Sequence, residues 1–254
     1  MNPEIAYLAR ADAPRLAYRH RPGDGPTFVY LPGYYVPGLA SGMEGTKPEA
    51  LDRWAAARGR ACLRFDYRGC GVSEGDFLDG TVGLWTADAL AVIDAAARGP
   101  VVLVGSSLGG WTALLAARAL GHRAVALVLL APAPDFTQWD IVETLTVEER
   151  ASHARQGYFE RADTGLPTPT RYSRALIEDG ANQMLLGGAI DVDCPVRILH
   201  GQCDAVVPWQ RSVDLAVHLA SADVQLTLVK DGDHRLFRPS DLALLTATLE
   251  SLPV

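Results

Sequence analysis

Ser107 is the residue in this sequence best placed to act as a nucleophile. It lies in Gly105-Ser106-Ser107-Leu108-Gly109-Gly110, between the apolar run VVLV and a segment of helical character. In a sharp strand-to-helix turn the nucleophile's backbone is strained, and side chains two residues before and two after would collide with it. Ser107 has Gly105 and Gly109 at those positions, whereas Ser106 would have Val104 and Leu108 and is excluded. Such a turn lifts the hydroxyl to a helix N-terminus, where free N–H groups and the helix dipole favour negative charge.

A serine hydroxyl needs an adjacent base, itself oriented by a third group. The histidines are His20, His122, His153, His200, His218 and His234. His234 lies in a loop directly after a late apolar run, in VKDGDHRLFRPS, with Pro239 opening the next helix. His200 ends a strand and His218 sits on a helix face, so both read as structural, while His153 is placed to touch a substrate. For the orienting acid, Asp204 follows VRILHG in a short loop closed by Pro208-Trp209, and Asp135, after the preceding strand, is the alternative. Attack on a carbonyl leaves charge on oxygen, which two backbone N–H groups should meet. Leu108 offers one. The other is expected from P-G-Y-Y-V-P-G (32–38), where Gly33 lets the backbone turn in and Tyr34 is the first candidate. The sequence leaves open whether Tyr34 or Tyr35 points into the pocket.

The elements that would position these groups follow from periodicity. Strands are expected at 16–21, 27–31, 61–65, 101–105, 125–131, 196–201 and 224–229, several of them unbroken β-branched runs of the kind that parallel strands show when both faces are covered. Helical segments near 48–58, 84–97, 108–120, 209–220 and 239–252 alternate with them. The alternation implies an α/β protein with a mostly parallel central sheet, helices on both faces and right-handed crossovers. Ligands of such sheets bind beyond the carboxyl ends of the strands, where the chemistry-bearing residues fall. From Pro132 to Asp193 no strand is evident, so 132–193 reads as a helical cap inserted before the last two strands, over a core formed by 1–131 and 194–254. Tyr35, Trp111, Trp139, Ile141 and Phe159, with Tyr34 and Leu108, are expected by position to line an acyl pocket. Arg171 and Arg174 could meet a substrate carboxylate, or form a solvated face. The loop DYRGCGVSEG (66–75) lacks the G-K-[ST] of a phosphate loop and reads as a brace for the nucleophile turn.

Composition narrows the field. The 254 residues carry a net charge of −7 and no Lys/Arg run, which argues against nucleic acid. No stretch approaches the length of a membrane span. Cys62, Cys70, Cys194 and Cys203 form no C-x-x-C pair and read as buried thiols of a reducing compartment, with no metal site.

The chain order Ser107…Asp204…His234, with LPGYY and GTK (31–35, 45–47), RFDYRGCGVSEG (64–75), VGSSLGGW (104–111), CPVRILHGQCDAVVPW (194–209) and DHR (233–235), resembles the α/β-hydrolase superfamily. Within it the chain is similar to the mitochondrial acyl-protein thioesterases that are also acyl-glucuronide esterases. The resemblance implies an α/β-hydrolase fold with Ser107 as nucleophile, Asp204 as acid and His234 as base. It also implies a serine hydrolase, needing no cofactor, that removes acyl groups from small esters or thioesters or from an acylated protein. Other hydrolase chemistry on the same residues (a peptidase, a carbon–carbon hydrolase or a perhydrolase) and a non-catalytic ligand-binding role are the alternatives. No mitochondrial leader is visible at the N-terminus, and a cytoplasmic protein is expected.

Overall fold

A computed structural model of the protein describes residues 2–34, 42–162 and 169–254. Eight strands form one sheet: β1 (Ala6–Arg10), β2 (Ala13–Arg21), β3 (Asp24–Leu31), β4 (Arg60–Phe65), β5 (Val101–Ser106), β6 (Ala124–Leu130), β9 (Val196–Gly201) and β10 (Val224–Val229). Their order is β1-β2-β4-β3-β5-β6-β9-β10. β1 and β2 pair antiparallel, as do β2 and β4, and every other neighbouring pair is parallel. The unbroken apolar runs have the physical basis the periodicity suggested. β5 and β9 are buried at every residue, because helices cover both faces.

Alternation within each strand divides the core. Val29, Leu31, Val101 and Leu103 face a cluster shared with α2 (Val82–Ala96), α3 (Leu108–Leu120) and α6 (Gln210–His218). Phe28, Tyr30, Val102 and Val104 face the opposite cluster, with Leu51 and Trp54 of α1 (Thr46–Ala57) and Leu245 and Leu249 of α7 (Pro239–Glu250). The strand order reverses between β3 and β5, which pair in register from Thr27↔Val101 to Leu31↔Gly105. That reversal is where an open α/β sheet leaves a crevice for ligands, and both Gly33 and Ser107 sit just beyond it.

The segment between β6 and β9 differs from the all-helical expectation. It holds a π-helical turn (Thr137–Ile141), α4 (Val147–Gln156) and α5 (Arg174–Asn182), but also an antiparallel hairpin of β7 (Tyr158–Arg161) and β8 (Thr170–Ser173). The loop joining the hairpin strands includes most of the Pro/Thr turn and lies outside the described residues, as do Tyr35 and the rest of its loop to position 41. Side chains tie the insertion to the core. Trp111 donates its indole N–H to Gln183 O at 3.0 Å, Tyr34 donates its hydroxyl to Arg171 O at 2.6 Å, and Asp179 accepts from Gly83 N at 2.7 Å.

The loop 66–75 braces by more than one route. The Tyr67 hydroxyl meets Thr112 Oγ1 of α3 at 2.7 Å, and Arg68 forms an ion pair with the fully buried Asp88. Asp66 accepts from Met43 N at 2.8 Å and Val72 N at 3.1 Å. Its burial raises its pKa above the ordinary value. The cysteines depart from expectation at two positions: all four are free, but Cys194 is only half-buried and Cys203 is exposed.

Candidate active site

Ser107 occupies the N-cap of α3 with φ 55° and ψ −120°, a conformation costly for a side chain bearing a Cβ. The turn is held on three sides. Ser107 N donates to Leu130 O at 2.9 Å, and Ser107 O accepts from Gly110 N at 2.8 Å and Ala133 N at 3.1 Å. The flanking glycines meet the steric demand directly. A Cβ on Gly105 would lie 2.2 Å from Gly109 O, and one on Gly109 would lie 2.1 Å from Leu31 O. Serine at an N-cap ordinarily accepts from the first helical turn. Ser107 makes no such cap; its Oγ lies 3.1 Å from His234 Nε2 instead.

His234 Nδ1 lies 2.8 Å from Asp204 Oδ2. The structure therefore brings together three side chains that the sequence holds 97 and 30 residues apart. Two loops accomplish this. Cys203 N donates to Gly232 O at 2.8 Å, stitching the Asp204 loop to the His234 loop. Asp233 Oδ1 accepts from Arg235 N at 3.0 Å and Leu236 N at 3.1 Å, closing the turn around His234. Asp204 is saturated. Its Oδ1 accepts from Val206 N and Val207 N at 2.8 Å each, and its Oδ2 also meets His200 Nε2 at 3.0 Å. Burial alone would raise its pKa, but hydrogen bonds from His200 and His234 outweigh that and hold the carboxyl well below the usual range. The group is an anion at neutral pH, suited to steadying an imidazolium.

His200, read from the sequence as structural, touches the acid of the site directly. It is fully buried, with Nδ1 2.7 Å from Ser212 Oγ, and its Nε2 also meets Val207 O at 3.0 Å. Its i,i+4 spacing to Asp204 was the available signal. Asp135, the alternative acid, stands elsewhere in the arrangement. It adopts φ 58° and its carboxylate accepts from Leu185 N and Leu186 N at 2.8 Å each, fastening the inserted segment.

Leu108 opens α3 directly after Ser107. Gly33 packs against the same turn, since a Cβ built there would lie 3.2 Å from Ser106 O and 3.4 Å from Ser107 Cβ. The backbone of Tyr34 follows at once, while its ring leaves for the inserted segment: it stacks on Tyr172 at 5.4 Å and meets Phe77, Trp85 and Phe136 edge-on. Tyr35, the other tyrosine of that loop, lies outside the described residues.

The expected pocket residues fall differently. Trp111, Ile141 and Phe159 have no exposed surface and pack in the core between sheet and insertion. Trp139 is half-buried, with its indole donating to Pro134 O at 2.9 Å and Arg211 4.9 Å over its ring. Aromatic content alone does not separate core from pocket. Arg171 pairs with Glu160 at 2.8 Å, and Arg174 donates to His153 O at 3.0 Å. His153 itself stands edge-on to Phe159 at 6.2 Å.

A strained serine on a strand-to-helix turn, beside an imidazole and a buried carboxylate, at the reversal of a mostly parallel sheet, is an arrangement of hydrolases. The family model described as "Alpha/beta hydrolase family" matches residues 28–245, and the chain belongs to that family.

Among its relatives, the chain is 38% identical over 256 residues to the human protein named "Palmitoyl-protein thioesterase ABHD10, mitochondrial", covering 98% of this chain and 79% of that one. Among solved structures it is similar to a putative hydrolase from Agrobacterium vitis, with a TM-score of 0.91 and 41% identity, covering 98% of this chain and 97% of that one. It is also similar to mouse alpha/beta hydrolase domain-containing protein 10, with a TM-score of 0.87 and 37% identity, covering 97% of each. The mouse, bovine and human relatives are all named mitochondrial, which overturns the cytoplasmic placement expected from the N-terminus. No helix among the described residues is long and apolar enough to cross a membrane.

Proposed function

We propose that this chain is a serine hydrolase that cleaves carboxylic esters or acyl thioesters through a covalent acyl-Ser107 intermediate. The observation that carries the reading is the continuous row Ser107 Oγ, His234 Nε2 at 3.1 Å, His234 Nδ1, Asp204 Oδ2 at 2.8 Å. His234 takes the hydroxyl proton as Ser107 Oγ bonds to the acyl carbon. The negative oxygen that results is met by the N–H groups of Leu108 and Tyr34. Collapse expels the alcohol or thiol, to which His234 returns the proton, and leaves the acyl group on Ser107. Water then gives a proton to His234, attacks the same carbon, and releases the carboxylic acid with Ser107 restored. Asp204 fixes the imidazole tautomer and stabilises its cation throughout.

Residues 132–193 act as the cap that selects the acyl group. The relatives' names support S-acylated protein cysteines as the first substrate class to assay, and a mitochondrial setting for the reaction. The test is a panel of p-nitrophenyl esters and acyl-coenzyme A thioesters with Ser107→Ala alongside wild type. Turnover should fall by about 10⁴ or more in the variant, and a fluorophosphonate should label the wild type at Ser107 alone. A folded Ser107→Ala protein that keeps most of the activity refutes the reading.

A further inference from the structure

We propose that Lys47 is a positioning residue for the Ser107–His234 pair, one ammonium holding the nucleophile turn and the histidine loop at a fixed separation. The inference rests on the hydrolase reading above. Lys47 Nζ donates to Ser106 Oγ at 2.8 Å and to Arg235 O at 2.8 Å. Ser106 is the residue before Ser107, and Arg235 is the residue after His234. The two halves of the proton-transfer pair come from β5 and from the loop after β10, 127 residues apart. Lys47 joins their immediate neighbours from the α1 side of the sheet.

The sequence context shows that this lysine is not there for its helix. It stands in the first turn of α1, whose N-cap Gly45 makes no side-chain cap, and a cation at a helix N-terminus opposes the dipole. The chain has two lysines, Lys47 and Lys230, among 23 basic residues, so arginine is its habitual cation. A compact ammonium presents three donors in a tetrahedron and reaches two acceptors in different directions, which a planar guanidinium does poorly. Burial pushes the Lys47 pKa down to about 8, against the attraction of Asp233, Asp204 and Asp241 and with the repulsion of Arg235 adding to it. A side chain kept at that electrostatic disadvantage, against local helix preference, marks a position where function overrides local stability. The Tyr30 hydroxyl, from β3, shares a hydrogen bond with Ser106 in the same cluster. The cluster therefore connects the ends of β3 and β5 with the start of α1 and the loop after β10.

Misplacing a reacting group by about 1 Å can cost as much as 100-fold in rate. Lys47→Met keeps most of the aliphatic stem and removes the donors. Its kcat for a p-nitrophenyl ester should fall about ten-fold or more, with KM within about two-fold, because the contact acts on the reacting pair and not on substrate binding. The rate of fluorophosphonate labelling at Ser107 should fall in parallel. Lys47→Arg should recover part of the loss. Ser106→Ala should show a smaller fall, and adding it to Lys47→Met should cost little more, since both act on one contact. If Lys47→Met does not fold, Ser106→Ala and Lys47→Arg carry the test, and wild-type kcat in both overturns the proposal. A folded Lys47→Met with kcat within two-fold of wild type overturns it too, as does a loss that appears only in KM. Wild-type protein that neither turns over the ester nor labels at Ser107 removes the hydrolase reading and this proposal with it. Active wild type beside an equally active Lys47→Met removes only the role of Lys47.

Discussion

Replacing Gly109 by alanine should reverse the usual sign of that substitution. In a helix interior, Gly→Ala ordinarily stabilises by about 1 kcal/mol. Gly109 lies in the first turn of α3, and its added Cβ would come 2.1 Å from Leu31 O, 2.5 Å from Pro32 O and 2.8 Å from Leu31 C. These are backbone atoms, not the ends of flexible side chains, so the helix or the end of β3 must move. Overpacking of this kind costs about 1–3 kcal/mol, which for a chain of this size corresponds to a midpoint lower by roughly 2–12 °C. The displaced carbonyls lead straight into Gly33 and Tyr34, so the oxyanion donor proposed at Tyr34 moves with them. Loss of one such donor is worth about 100-fold in kcat. The assay is thermal unfolding with ester hydrolysis on the same preparation. Gly188→Ala serves as the control, because nothing lies within 4 Å of a carbon added there. A Gly109→Ala protein as stable and as active as wild type would mean that α3 and β3 are not in contact through this glycine, and the steric argument for the whole turn would fail.

Asp135→Ala should separate fastening from chemistry. It leaves the N–H groups of Leu185 and Leu186 without their acceptor, at about 1–3 kcal/mol for each buried group, while fluorophosphonate labelling of Ser107 persists; loss of labelling as deep as that of Asp204→Asn would refute the division of roles. Asp204 also sets a pH signature. Its pKa lies below the ordinary 3.8, so the unfolded chain takes up that proton first, and the stability it contributes is complete above the usual carboxylate range and is lost as pH falls below it. The stability gap between wild type and Asp204→Asn should thus be flat above about pH 5 and close on acidification; a gap that stays constant down to pH 3 would contradict the assignment.

What the sequence made legible follows from how each element earns its stability. The parallel strands were readable because burial on two faces leaves unbroken apolar runs, and their helices because amphipathic stretches lie between. β1 escaped notice because its five residues alternate between exposed and half-buried at the sheet edge, leaving only a faint pattern. β7 and β8 are four residues each, and Tyr172-Ser173 reads equally well as a helix start, since Ser173 caps α5. Ser107, Asp204 and His234 were visible because each sits where a strand ends and a loop must turn. Lys47 was not visible in its place, because its contacts are ones that sequence distance conceals: it touches residues 59 and 188 positions away. Trp111, Ile141 and Phe159 show the opposite failure. Large apolar residues near a site look alike whether they greet a ligand or fill a core, and here they fill the core.

The four hydrogen bonds on Asp204 have a kinetic meaning. Two main-chain donors and two imidazoles occupy the carboxylate, about as many as its lone pairs accept. It cannot swivel without abandoning a partner, and through Nδ1 it denies the His234 ring its freedom to spin. Of the three groups, only the serine hydroxyl keeps an easy rotation, about a single bond. The search for a reactive arrangement is thereby reduced to one torsion, with the ordering entropy of the other two already spent when the chain folds.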